Sequence, residues 1–325
     1  MSGHHVAVGI LLLAGTLGLV AARYARGARR PLPLRGWLGG AVVVCAAMLL
    51  GLGRPWWVAT YLTPIAWTAY ILIVDAIVSS LGRPSRISRA PGQFAALALG
   101  SIPLWVLFEI YNLRLVNWAY VGTTLSPALE ALGYAWAFAT IWPAIFETAD
   151  LFEALGFFRR TSPARRPSSP GQRRALVIAG LLMVTVPVLL PPRIGSYLFG
   201  AVWLGFIPLL DPITYEWRGP SLLRDWEAGD SRRLGCFLAS GWLCGLVWEC
   251  VNNWAAARWV YVFPLGQRWK IFEMPAPGFL GFPAFALECF VMWQFLATLR
   301  LRVFGRQPAL AEPDPGAREW SGLPS

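Results

Sequence analysis

Nine runs of roughly 17–25 mostly apolar residues follow one another along this chain, at about 6–22, 36–53, 56–81, 94–113, 130–156, 175–191, 197–215, 235–256 and 279–299, and Arg, Pro or Gly parts each from the next. A helix of that length matches the hydrocarbon thickness of a bilayer. Backbone polar groups in lipid must be satisfied within the segment, as a helix does, so nine such runs leave few other ways to fold. Composition agrees, with 56% of residues hydrophobic and 14% charged, against about 45–50% and 25% in soluble domains. A water-soluble enzyme is thereby excluded. So is a disordered chain, because 18 Trp, 18 Phe and 9 Tyr carry too much apolar surface to stay solvated. The expected fold class is all-α: a polytopic helical membrane protein with about nine transmembrane helices.

The net charge of +11 would suggest a nucleic-acid partner in a soluble chain, but here the basic residues sit in clusters between apolar runs and read as topology signals. With the N-terminus outside, the inner segments 23–35, 83–89, 159–174, 218–233 and 300 onward hold 22 of the 28 basic residues. Arg54, Arg114, Arg193, Arg258, Arg268 and Lys270 fall outside. The expectation is a multi-pass protein of a bacterial-type inner membrane, N-terminus outside and C-terminus cytoplasmic, with no nucleic-acid partner. The first run reads as a retained helix, with a cleaved signal peptide as the alternative. Cys45, Cys236, Cys244, Cys250 and Cys289 are odd in number and lie in apolar runs, which predicts neither a disulfide framework nor a metal site. The only histidines, His4 and His5, precede the first run, so no Ser-His-Asp or His-ligated metal arrangement can form, and no cofactor is implied. The stretch Asp225 to Asp230 reads as a solvated loop with a helix cap, and Asp75, Asp150 and Asp211 approach the same inner face.

Residues 159–174, rich in Arg, Pro and Ser, read as a mobile cytoplasmic linker that divides the chain nearly in half. The halves echo each other. Glu109 with Asn112 recurs as Glu249 with Asn252; Trp118-Ala-Tyr120 recurs as Trp259-Val-Tyr261; Pro143, Ala144 and Glu147 recur as Pro283, Ala284 and Glu288, all at an offset of 140 or 141. A duplication predicts an N-terminal helix with its basic loop (1–35), two parallel four-helix repeats (36–158 and 175–306) joined by the linker, and a disordered tail (307–325).

A charged side chain at the bilayer centre costs about 2.5–3.5 kcal/mol on insertion scales, so such residues face the bundle interior. Glu147 and Glu288 are therefore expected to point into a cavity shared by the halves, where a neutral carboxylic acid can donate a proton. Glu109 and Glu249 would orient the reacting partner or take a proton back, each with its Asn on the same helical face. Trp118, Tyr120, Trp259, Tyr261, Trp248 and Trp293 are the candidate substrate-binding aromatics. The competing structural reading is that Glu and Asn only hold helices together, at about 0.6 kcal/mol per bond.

An acidic residue late in one helix, a Trp-x-Tyr in the next loop, and a proline shortly before a Glu in the following helix make a pattern that resembles the duplicated membrane domain of the lycopene cyclase family and its terpene-cyclase relatives. The likeness covers about 107–150 and 247–290. That family carries Asp where Glu109 and Glu249 stand, and two adjacent glutamates close behind the proline where this chain has one. The resemblance implies proton-initiated cyclisation or isomerisation of a bilayer-dissolved isoprenoid, with Glu288 or Glu147 as general acid and no cofactor. Two other readings stand beside it: a proton-coupled or lipid transporter, and a lipid-binding membrane protein without turnover.

Overall fold

The computed structural model describes residues 3–27, 29–122, 126–158 and 163–305, and the expected tail at 307–325 lies outside them. In chain order the helices are α1 (Gly3–Arg26), α2 (Leu34–Leu52), α3 (Trp56–Thr60), α4 (Leu62–Ser80), α5 (Arg86–Arg89), α6 (Pro91–Leu115), α7 (Pro127–Ala154), α8 (Pro170–Leu189), α9 (Pro192–Gly195), α10 (Phe199–Glu216), α11 (Leu222–Glu227), α12 (Arg232–Trp254) and α13 (Gly281–Phe304). Strands β1 (Trp118–Val121), β2 (Arg258–Tyr261), β3 (Lys270–Ile271) and β4 (Met274–Pro275) complete it. Among the described residues nine helices are long and apolar enough to cross a membrane: α1, α2, α4, α6, α7, α8, α10, α12 and α13, with α9 leading into α10. The chain is an all-α polytopic helical protein.

Local chemistry sets the boundaries. Pro91, Pro127, Pro170 and Pro192 open helices, where a missing N–H leaves no bond unmade. Ser169 and Gln172 form a reciprocal capping box ahead of α8. The expected span at 56–81 is broken near residue 61 because Pro64 has no N–H to give the Thr60 carbonyl, so α3 ends there and α4 starts afresh. At the end of α6, Val116 is left-handed (φ 50), a strained state for a β-branched residue. Asn112 holds it, its Oδ1 accepting from the Asn117 and Trp118 backbone N–H groups at 2.8 and 3.1 Å.

Helices α7 and α13 form the centre. Every residue from Thr140 to Ala149 and from Ala284 to Met292 is buried, as in a helix packed on all sides. Around α7 stand α4 and α6, with α2 outside α4; around α13 stand α10 and α12, with α8 outside α10. The two groups meet along α7 and α12, and α1 packs on α12. The outermost contacts are close because they are made by glycine: a Cβ on Gly39 would come within 2.7 Å of the Ala69 carbonyl oxygen, and one on Gly180 within 2.4 Å of the Leu209 nitrogen.

Loops of alternate number gather at opposite ends. At the arginine-rich end, Arg23 donates to the Leu155 carbonyl and Arg30 N–H to that of Ser80. At the other end, Ala256 N–H donates to the Ala59 carbonyl. The described part of the linker makes contacts with α11: Arg165 lies over the Trp226 ring at 3.4 Å, and the Ser168 N–H donates to Glu227 at 2.7 Å. The Trp-x-Tyr segments, expected in loops, are strands. β1 and β2 pair antiparallel, Trp118 opposite Tyr261 and Tyr120 opposite Trp259.

Candidate functional site

Between the two groups of helices lies a mostly apolar cavity of about 110 Å³, open on one side. Its walls follow helical spacing. From α7 come Glu130, Gly133, Tyr134, Ala137, Phe138, Ile141, Ala144 and Ile145; from α12 come Gly241, Cys244, Gly245 and Trp248. Both are single faces at i, i+3, i+4 on which small residues leave room. From Glu130 to Ile145 the α7 face runs about 22 Å at 1.5 Å per residue. Indole, phenol and phenyl rings make most of the rest: Trp67 of α4, Trp105 of α6, Trp118 and Tyr120 of β1, Trp203 of α10, Trp259 and Tyr261 of β2, and Phe282 and Phe285 of α13. Trp248 is at their junction, its ring 5.2–5.7 Å from those of Trp67, Trp105 and Trp259.

The polar heads of several of these rings turn onto two carboxyls behind the wall. Glu109 accepts from Tyr120 Oη at 2.6 Å, Trp105 Nε1 at 2.8 Å and Trp118 Nε1 at 3.3 Å. Glu249, wholly buried, accepts from Tyr261 Oη at 2.8 Å and Trp259 Nε1 at 3.3 Å. Burial first, and then the charge of the neighbouring carboxyl, pushes both tyrosine hydroxyls well above their ordinary range, so they stay protonated and donate. Asn112 Nδ2 donates to the Trp118 carbonyl at 2.9 Å, and Asn252 Nδ2 to that of Trp259 at 2.9 Å. The two asparagines thus fix each strand to the helix that carries its glutamate.

Glu147 and Glu288 are fully buried but do not line the cavity, so the four glutamates do not face one hollow. The reason is helical phase and depth: at 3.6 residues per turn Glu147 lies about 120° round α7 from the centre of the face that Ile141, Ala144 and Ile145 share, and Glu288 stands beyond Phe285, the innermost α13 residue of the wall. Glu147 lies beside Asp75, within electrostatic range of Asp150 and Arg86 at the arginine-rich end, and neither of its oxygens makes a hydrogen bond of full geometry. Glu288 Oε1 accepts from the Phe206 N–H at 3.0 Å, and its Oε2 is unpaired. Trp293 is also off the cavity, its ring against Gly100 of α6.

Sequence reasoning did not assign Trp67, Trp105, Trp203, Phe285 or Glu130 to the site. Trp105 carried a usable signal, standing one turn before Glu109 on the same helical face. A second unread signal is a serine ten residues after an aspartate in each half. Asp75 accepts from Ser85 Oγ at 2.7 Å and the Ile87 N–H at 3.2 Å, while Asp211 accepts from the Leu222 and Leu223 N–H groups at 2.8 and 2.9 Å. Ser85 and Ser221 cap the short helices α5 and α11 that these aspartates tether. Among the described residues no group of three or more His, Cys, Asp and Glu could hold a metal. No family model, curated protein or solved structure matches the chain.

Proposed function

We propose that this chain is a membrane enzyme that cyclises or isomerises a long polyene, an isoprenoid or related lipid, taken into the aromatic cavity from the bilayer. A proton added to an alkene carbon leaves a carbocation, and loss of a proton from a neighbouring carbon restores a double bond. Such an intermediate needs a dry site that stabilises positive charge without reacting with it. Aromatic faces supply about 0.5–2 kcal/mol each toward a cation. Here the polar edges of the rings are bonded to Glu109 and Glu249, which stand behind them and not against the substrate. The observation that carries the reading is this pairing of an aromatic cavity with two carboxyls hydrogen-bonded to its wall. Glu147 and Glu288, buried within a turn of cavity-lining residues but turned from the cavity, would have to pass the initiating proton through an intervening group.

The same reading takes the halves to be a duplication. The Glu–Tyr, Glu–Trp and Asn–Trp bonds recur in both halves, with Trp105 as an added donor to Glu109, the helices of each half pack in the same order, and the Asp and Ser pairs recur with the same separation. The excess of basic residues at one end supports a cytoplasmic placement of that end, in a bacterial-type inner membrane. A second reading, proton-coupled transport, is favoured by one feature alone, the buried Asp75 and Glu147 beside the half-buried Asp150 and Arg86 at the arginine-rich end.

The test compares lipid-soluble extracts of cells that make the protein, lack it, or carry Glu109→Gln with Glu249→Gln. The expected result is an isoprenoid species consumed or formed only with the wild type and reduced at least tenfold in the double variant. An isoprenoid profile identical in all three overturns the enzyme reading.

A further inference from the structure

The aspartates that tether the two short helices at the arginine-rich end are not equally served. In the first half Asp75, fully buried, pairs with Arg35 Nε of α2 besides accepting from Ser85 and the Ile87 N–H. Arg35 stands four residues before Gly39, the glycine on which α2 packs against α4. Four residues before Gly180, on which α8 packs against α10 in the same way, stands Leu176. Asp211, 5% exposed, therefore has its two backbone donors and no ion pair among the described residues. The arginines within electrostatic range do not take that place: Arg233 pairs with Asp225 at 2.9 Å, and Arg224 donates to the Tyr215 carbonyl at 2.9 Å. Beside Leu176 and Asp211 lies instead a further pocket of about 270 Å³, its walls including Ile207, Trp226, Asp230 and Leu287. A buried carboxylate without a cation is costly, and its counterpart in the first half shows what this one lacks.

We infer that this pocket binds a primary ammonium group, the head of a membrane lipid such as phosphatidylethanolamine, which sits against Asp211 as the Arg35 guanidinium sits against Asp75. An ammonium brings both the charge and the N–H donors of the missing arginine, and a carboxylate oxygen that accepts one backbone N–H keeps a lone pair for another donor. Depth agrees with a lipid head. Leu176 is in the second turn of α8 and Asp211 five residues before the end of α10, so the pocket begins about 8–10 Å inside the helix ends. Leu176 and Trp226, both well exposed, leave it open, and Ile207 and Leu287 offer apolar walls to the chain that follows the head. The pocket is separate from the aromatic cavity, and its occupancy does not depend on the reaction proposed there.

Titrating the purified chain in mild detergent with phosphatidylethanolamine, phosphatidylcholine or phosphatidylglycerol of identical acyl chains, with bound lipid counted by native mass spectrometry, tests this. Phosphatidylethanolamine should bind about tenfold more tightly than either of the others, the scale of one charge-assisted hydrogen bond, because phosphatidylcholine keeps the charge but has no N–H and phosphatidylglycerol has no cation. Free ethanolamine in millimolar excess should leave the lipid bound; displacement by it would overturn the lipid as the carrier of the ammonium. Leu176→Arg supplies the cation from within the chain and should cancel the preference. With no lipid added, the same substitution should raise the melting temperature, and it should fail to do so in an Asp211→Asn background. Equal binding of the three lipids, a preference that survives Leu176→Arg, or a melting temperature that Leu176→Arg lowers while Asp211 is present overturns the inference.

Discussion

Tyr261 and Tyr120 occupy equivalent places, each donating to the glutamate of its own half, yet their surroundings differ. Glu249 is fully buried, with one oxygen already unpaired, and Tyr261 provides its shortest bond. Glu109 is partly exposed and keeps two indole donors besides Tyr120. Removing a donor from a buried acceptor costs about 1–3 kcal/mol, and less where water can replace it. Tyr261→Phe should therefore lower the melting temperature in detergent clearly more than Tyr120→Phe does. Equal losses, or a larger one for Tyr120→Phe, would remove the claim that the second half holds the more tightly built carboxyl. At this scale the sequence was informative wherever a residue recurred with its partner, as Glu, Asn, Trp and Tyr do. It was silent on the facing of Glu147 and Glu288, because the spacing from a proline fixes depth along a helix and not rotation about it.

Short helices at the arginine-rich end are tied to the long ones by charge. In α11, Asp225 pairs with Arg233 at 2.9 Å across the start of α12, and burial pushes its carboxyl up to about 6, with Asp230 and Asp211 adding to the shift and Arg233 and Arg232 opposing it. An unfolded aspartate titrates near about 3.9, so between those values the folded chain binds more protons than the unfolded one. Stability should then rise as pH falls from about 6 to 4, by about 2 kcal/mol from this group. Asp225→Asn should flatten the melting temperature over that interval; an unchanged slope would assign the dependence elsewhere. Elements of this size were the least legible. Strands of four residues and helices of four to six lie below the length at which a hydrophobic period can register, and β1 and β2 gain meaning only by pairing across 140 residues. The long helices were legible for the opposite reason, since each must be apolar along a bilayer's thickness.

The two halves join through α7 and α12 rather than through the segment that links them in sequence. Ser240 Oγ donates to the Ile145 carbonyl at 2.6 Å, Trp142 Nε1 to that of Cys289 at 3.0 Å, and β1 pairs with β2. Helix α1 adds to this joint, since it bonds Leu155 and Ser80 of the first half and packs on α12 and Phe272 of the second. Nearly all of the cavity wall is shared between the halves, so neither fragment alone would enclose it, and an isolated α7 or α12 would expose its buried face with unmet polar groups. If the joint is as continuous as these contacts make it, a chain cut between Ala164 and Arg165 and produced as two co-expressed pieces should reassemble, the tagged second piece carrying the first through purification in mild detergent. Deleting residues 1–26 from the first piece should weaken the recovery without abolishing it, because α7 still meets α12. Pieces that never co-purify, while each is present in the membrane, would mean that the linker and not the α7–α12 face holds the cavity closed.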